Sequence, residues 1–365
     1  MSSADQNQNL SPAANDYFPA PGMDGWRANS DPDFVRSLGI DPAGLADFLD
    51  YNMTNWPNQG GANAAYRSCL VIKDGWIIGE RYSRPDARQY KQYISSNGKA
   101  YAIAMFAIMA SEHGVSLSDK VYDRRWLSEG FPLSDPRKSE ITFEQIIRHT
   151  SGICPESTHE KGRNKWSDYV GWVVGHDGDW ADSTARLAFD PGSDEAYSSV
   201  AFCHIGLVVK KITGMCAHDY LWSKILEPTG VSSVGWQSPP DPEGGHMWFS
   251  AGGIQITPRD YARFGWLLMN KGRWEKEQLI PAEILEYIMA DGGVANLMTF
   301  TKPADRTAEV GLPADTFRIA GSGLNWLYAV PSRRLICLRT SRVKNELWRE
   351  IERNFVAKMA AMLTR

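Results

Sequence analysis

Two stretches near opposite ends of the chain constrain its fold more than anything between them. Arg67-Ser-Cys-Leu-Val-Ile, a Lys73-Asp-Gly turn and Trp76-Ile-Ile-Gly-Glu-Arg-Tyr read as strand, tight turn, strand. Leu324-Asn-Trp-Leu-Tyr-Ala-Val, then Pro331-Ser-Arg-Arg, then Leu335-Ile-Cys-Leu-Arg-Thr repeats the pattern. A lone two-stranded hairpin is marginal in water, so the two pairs are expected to complete one sheet. Between them, Ile141 to His149, Ala201 to Thr213, Ala217 to Leu226 and Pro258 to Asn270 carry apolar residues at helical spacing and stop at Gly or Pro. Glu346 to Leu363 follows as an amphipathic helix. The expected fold is α/β of the α+β kind: an antiparallel sheet built from both termini and flanked by helices, with a mostly helical domain inserted. In ranges, this gives a tail over 1–25, a discontinuous sheet domain over 26–95 and 291–365, and a helical domain over 96–290. The tail is read as a strap across the surface.

Charge and composition remove several classes. The net charge is −4 with both signs interspersed, so no basic field exists for nucleic acid. Tyr101 to Ala110 is far too short an apolar run to cross a bilayer, and no membrane partner is expected. Cys69, Cys154, Cys203, Cys216 and Cys337 follow no paired or metal-binding spacing. With no basic and apolar leader at the start, free thiols and a cytoplasmic location are expected. The histidines are not spaced as a metal site, and His149 reads as structural, closing a helix at Gly152. No Gly-rich phosphate loop follows a strand, and the Gly-x-Ser-x-Gly elbow is absent. Neither a metal nor another cofactor is expected.

Chemistry concentrates at Ser95-Ser-Asn-Gly-Lys99, the polar mouth of a segment that is apolar on nearly every face. Residues three apart share a helix face, so Ser96 and Lys99 are neighbours if a helix starts at the serine. A serine at a helix N-terminus presents its own N–H outward, where the dipole favours developing negative charge. An amine beside it can take its proton and make it a nucleophile. Ser-x-x-Lys alone is a weak pattern. A second copy, Ser341-Arg-Val-Lys344, reads as a helix cap with an exposed lysine. At Ser96 the cap reading leaves a lysine at the head of an apolar helix without a purpose.

Three further stretches raise the odds for Ser96. Ile141-Thr-Phe-Glu-Gln-Ile-Ile-Arg-His-Thr-Ser-Gly-Ile, Ala196-Tyr-Ser-Ser-Val200 and Ser250-Ala-Gly-Gly-Ile-Gln-Ile-Thr-Pro-Arg-Asp260 occur in that order after it. Together they resemble the motifs of the β-lactamase and DD-peptidase-like serine hydrolases, over about residues 60 to 345. The class C-like branch, with its esterases and nylon-oligomer hydrolases, is most similar. The resemblance implies a β-lactamase-like fold with the site at the junction of the two domains. It also implies that Ser96 is the acylated nucleophile, Lys99 its general base, and Tyr197 a proton carrier between Lys99, Ser96 and the leaving group. Ser199 replaces the asparagine of the family's Tyr-x-Asn element. The third element appears as Ala320-Gly321-Ser322-Gly323, with Gly321 and Gly323 in support, and Ser322 is expected to supply the oxyanion N–H beside that of Ser96. The cation that usually opens this element is missing, and Arg318 is the candidate substitute.

Aromatic residues crowd the flanking loops: Trp166, Trp172, Trp180, Trp236, Trp248 and Phe249. Trp248, Phe249, Asn325 and Trp326 are the expected pocket residues. The missing cation argues for small neutral substrates, carboxylic esters first and amides or oligoamides next. β-Lactams and D-Ala peptides follow. A binding protein on the same fold is the reading from another class, and the oligomeric state is open.

Overall fold

The computed structural model describes residues 16–54, 66–154, 168–176, 185–237, 250–290, 300–301, 309–343 and 346–364. Its first part carries β1 (Arg27–Ala28), α1 (Pro32–Ser37), α2 (Pro42–Met53), β2 (Ser68–Lys73), β3 (Trp76–Tyr82) and β4 (Gln92–Tyr93). The middle holds α3 (Gly98–His113), α4 (Phe143–Ile147), α5 (Tyr169–Val174), α6 (Ser199–Thr213), α7 (Ala217–Leu221), β5 (Gly235–Trp236), β6 (Ile254–Ile256), α8 (Pro258–Met269), β7 (Arg273–Trp274), β8 (Glu277–Gln278) and α9 (Ala282–Ala290). The last part is β9 (Phe300–Thr301), β10 (Phe317–Gly321), β11 (Asn325–Val330), β12 (Leu335–Thr340) and α10 (Trp348–Ala361).

Asp74 and Gly75 take φ of 51° and 80°, the left-handed pair that a tight hairpin turn requires, and they reverse the chain between β2 and β3. The two sequence hairpins lie side by side in one sheet of order β1-β3-β2-β12-β11-β10-β9. Its central seam is antiparallel, with Lys73 opposite Leu335 and Ser68 opposite Thr340. β1 runs parallel to β3 and makes the sheet mixed. All six residues of β11 and of β12 are buried, because both faces of the sheet are covered. One face meets α2 and α10 through Phe48, Leu49, Ile351, Phe355 and Met359. The other meets α8, and beyond it the helical region.

Local chemistry sets the helix starts. Asp41 accepts from the backbone N–H groups of Ala43 and Gly44 ahead of α2, and Thr257 accepts from that of Asp260 ahead of α8; each helix has proline at its first position. α3 is different: Gly98 to Ala110 are all buried, so the helix is internal on every side and shows no polar face. α8, within the stretch expected to form the helical domain, packs on β2, β11 and β12.

Part of the expected strap is visible. The fully buried Arg263 of α8 donates to the carbonyls of Pro19, Ala20 and Gly22, and Trp266 donates to that of Tyr17 at 3.0 Å. The residues before Asp16 lie outside the described ones. Among the described residues no single helix is long and apolar enough to cross a membrane.

Candidate active site

The serine sits on a tight turn, not inside the regular helix. Ser95 to Asn97 form a single 3₁₀ turn ahead of α3, and Ser95 takes φ 54°, a conformation non-glycine residues rarely adopt. Ser96 is therefore half-buried at the mouth of the helix, while Lys99, one turn on, is fully buried. The close fit of this turn depends on Gly98. A Cβ there would stand 2.5 Å from the backbone oxygen of Gly252, so only glycine lets α3 lie against the 250–253 segment.

Lys99 Nζ stands within hydrogen-bond distance of three oxygens: the carbonyl of Ala251 at 2.8 Å, Ser199 Oγ at 3.2 Å and Ser96 Oγ at 3.3 Å. A neutral amine there donates to two of them and keeps a lone pair for the third. Tyr197 donates from its hydroxyl to Ser96 Oγ at 2.6 Å, and the amine lies 4.6 Å from the centroid of its ring. The amine and the phenol thus converge on one serine oxygen. Because hydroxyl protons rotate, Ser96 can instead donate to the lone pair of a neutral Lys99 amine while Tyr197 donates to Ser96 Oγ.

Each partner is anchored from a separate part of the chain. Ser198 caps α6 by accepting from the N–H of Ala201 at 3.2 Å, which places Tyr197 just before the helix and Ser199 at its first position. Ser250 donates to the carbonyl of Phe202 at 2.7 Å and accepts from the N–H of Gly206, tying the 250–253 segment to α6. Tyr93 is packed beside this segment. Burial raises its pKa, opposed by the Gly253 N–H and the Arg342 guanidinium, which lies 5.2 Å from its ring centroid.

β10 forms the opposite wall. A Cβ on Gly321 would stand 2.5 Å from the carbonyl oxygen of Ile94, so the strand abuts the serine turn, and Ser322 follows it at an exposed position. The turn beyond is pinned from behind. Asn325 donates to the carbonyl of Ser322 at 2.7 Å and accepts from the N–H of Ser341 at 2.9 Å, while Ser341 donates to the carbonyl of Gly323. Asn97 donates to the carbonyl of Asn325 at 3.3 Å and links the two walls.

The structure therefore brings together Ser96, Lys99, Tyr197 and Ser199, with Gly321 against the serine turn and Ser322 and Gly323 following it. It places Asn325 and Trp326 elsewhere. Asn325 is fully buried behind the turn, and Trp326 points to the far face of the sheet, edge-on to Phe355 at 5.5 Å. Trp248 and Phe249 lie outside the described residues, as do Trp166 and Trp180; Trp172 is buried and Trp236 stacks on His218 at 4.3 Å. Arg318 also faces away: it is paired with Glu352 of α10, which also accepts from the Tyr328 hydroxyl at 2.9 Å. It does not supply the missing cation. Sequence reasoning passed over the Ala251 carbonyl, Asn97 and Tyr93; only the Ser-Ala-Gly-Gly run signalled the first. Among the described residues, no group of three or more His, Cys, Asp or Glu side chains is placed to hold a metal ion.

Comparison with known proteins agrees with this arrangement. A family model described as Beta-lactamase matches residues 67–349, which span the serine turn, the tyrosine and all the strands from β2 to β12. The chain belongs to the beta-lactamase family. A Dichelobacter nodosus protein named as fimbrial assembly protein FimD, serogroup H1, is 25% identical over 208 residues, 56% of this chain and 48% of that protein. The chain thus spans about half the length of this curated relative. Among solved structures, a Bacillus anthracis protein named as a 6-aminohexanoate-dimer hydrolase superposes with a TM-score of 0.65 at 17% identity, covering 94% of this chain and 87% of that one. A D-stereospecific amidohydrolase from Streptomyces gives a TM-score of 0.57 at 16% identity, over 84% and 96% of the two chains. At these identities the superpositions establish the shared fold.

Proposed function

We propose that the protein is a serine hydrolase that works through an acyl-enzyme on Ser96, with amides, including short oligoamides, as its first substrate class and carboxylic esters as the second. The observation that carries the reading is the convergence of Lys99 Nζ and the Tyr197 hydroxyl on one oxygen, Ser96 Oγ. Ser96 attacks the carbonyl as its proton passes to the lone pair of a neutral Lys99 amine. The oxyanion forms between the N–H of Ser96 and that of Ser322, across the narrow gap to β10. Tyr197 relays the proton onto the departing group, and water later releases the acid by the reverse route.

Amides come before esters here, the reverse of the order read from the sequence. An amine leaves only when protonated, and Tyr197 stands 2.6 Å from the attacking oxygen, positioned to deliver that proton. The names of two fold neighbours, a 6-aminohexanoate-dimer hydrolase and a D-stereospecific amidohydrolase, support the same order. The neutral-substrate argument rested on the missing cation of the third element, which disfavours a carboxylate and does not separate esters from amides.

The test is intact mass after incubation with a fluorophosphonate, followed by turnover of a p-nitroanilide, a p-nitrophenyl ester and nitrocefin. One adduct is expected on the wild type and none on Ser96→Ala. Tyr197→Phe is expected to slow the anilide by about 10²–10⁴-fold and the ester much less, because p-nitrophenolate needs no proton to leave. An unlabelled but folded wild type would transfer the reading to a non-catalytic binding protein.

A further inference from the structure

His149 lies between the serine site and the 185–198 segment, and the mechanism above gives it no role. It follows α4 with φ 59°, a left-handed conformation that is costly for a residue with a side chain. That conformation turns both its carbonyl and its ring toward one segment. The carbonyl accepts from the N–H of Ala196 at 2.9 Å, and Nδ1 accepts from the N–H of Ser198 at 3.1 Å. These are the two residues that flank Tyr197. The imidazole also lies against the Tyr197 ring, with centroids 4.6 Å apart, and against Phe202 at 4.9 Å.

We propose that His149 is the positioning residue of Tyr197: by accepting the N–H on either side of that tyrosine, it fixes where the phenol meets Ser96. The contacts above it in the chain share this task. Thr150 accepts from the N–H of Gly192 at 2.7 Å and Gly152 from that of Ala188 at 2.8 Å, so residues 149–152 serve as a template for the returning loop. The last rung is the one made by a side chain, and it requires Nδ1 to be unprotonated. Full burial, with the nearby charge of Lys99, holds the imidazole neutral well below its usual pKa. With Nδ1 accepting, the proton resides on Nε2, which is buried and has no hydrogen-bond partner among the described residues. The tautomer is therefore fixed by the tyrosine segment alone.

The inference rests on the acyl-enzyme reading, and two substitutions separate positioning from packing. His149→Asn keeps an acceptor at the place of Nδ1 and tolerates positive φ, but loses the ring. His149→Leu keeps the bulk and loses the acceptor. If His149 positions Tyr197, Leu lowers kcat by about 10²-fold with KM within about threefold, and Asn recovers most of that loss. A filler role predicts the opposite order, so Asn at or below Leu overturns the proposal. Should the Leu variant fail to melt cooperatively, ¹⁵N-histidine NMR of the wild type decides. A neutral ring with unprotonated Nδ1 at pH 7 supports the proposal, and an Nδ1–H tautomer or an imidazolium overturns it. Failure of wild-type labelling by fluorophosphonate would sink the acyl-enzyme reading instead, and the NMR result would still stand on its own.

Discussion

Gly98→Ala is the smallest change that should separate the two halves of the site. The new methyl would stand 2.5 Å from Gly252 O and 2.8 Å from its carbonyl carbon and Cα, all backbone atoms that cannot rotate away. Ordinary contact begins at 3.4 Å, so α3 and the 250–253 segment must part by about 0.9 Å. Lys99 reaches the carbonyl of Ala251, next to Gly252, at 2.8 Å. The same separation carries that bond to about 3.7 Å, beyond hydrogen-bonding range. Stability gives a blunt readout. Overpacking costs about 1–3 kcal/mol, and replacing glycine by alanine returns up to about 1 kcal/mol of helix propensity, less in a first turn. Catalysis gives a sharp one, since a displacement near 1 Å at the reacting groups lowers rates by about 10²-fold. The assay is the second-order rate of phosphonylation by the fluorophosphonate, with thermal melting in parallel. A variant that is labelled within about twofold of wild type and melts unchanged would show that the two backbones do not touch as described.

Two other outcomes are expected. His204 is fully buried in α6, its Nε2 2.8 Å from the Tyr122 hydroxyl, and burial together with the Lys138 charge pushes its pKa from 6.5 down to about 4. The unfolded chain therefore takes up a proton that the folded one refuses between those values, so stability is full above pH 6.5 and falls as pH drops toward 4. The loss is about 3 kcal/mol for this residue, with His149 acting in the same direction. Urea unfolding at pH 7, 6 and 5 checks the slope, and a flat profile would contradict it. Arg318→Met strands Glu352 without its buried partner and should cost about 3–5 kcal/mol in denaturant unfolding. It should leave the relative KM of carboxylate-bearing and neutral substrates unchanged, because the guanidinium lies on the far face of the sheet; a shift in that ratio would return Arg318 to the site.

What the sequence made legible was local. The Asp-Gly turn, the alternation around it and the Ser-x-x-Lys spacing each fix geometry within a few residues, and the hairpins and the Ser96–Lys99 pair follow from them. Trp326 was not legible, because β11 is buried on both faces and its composition does not say which side any residue takes. One step of register separates the cleft from Phe355. Asn325 was expected in the pocket as a polar side chain, whereas it satisfies the backbone of the turn before it. Arg318 finds Glu352, and His149 finds Ser198, across separations in sequence that leave no periodic trace. Ala251 acts through a carbonyl, which every residue has and no composition advertises.

The seam between β2 and β12 sets an order of events during synthesis. Lys73 must wait for Leu335, so at roughly 5–20 residues per second the first hairpin leaves the ribosome some tens of seconds before its neighbour exists. Through that interval Val71 and Ile72 lie along an unpaired edge, a template for wrong pairing that a nascent chain must keep covered. Ser96, Lys99, Tyr197 and Ala251 are all translated before β10, so the serine turn exists well ahead of the wall that faces it. Closure of the sheet is then the event that completes the proposed site.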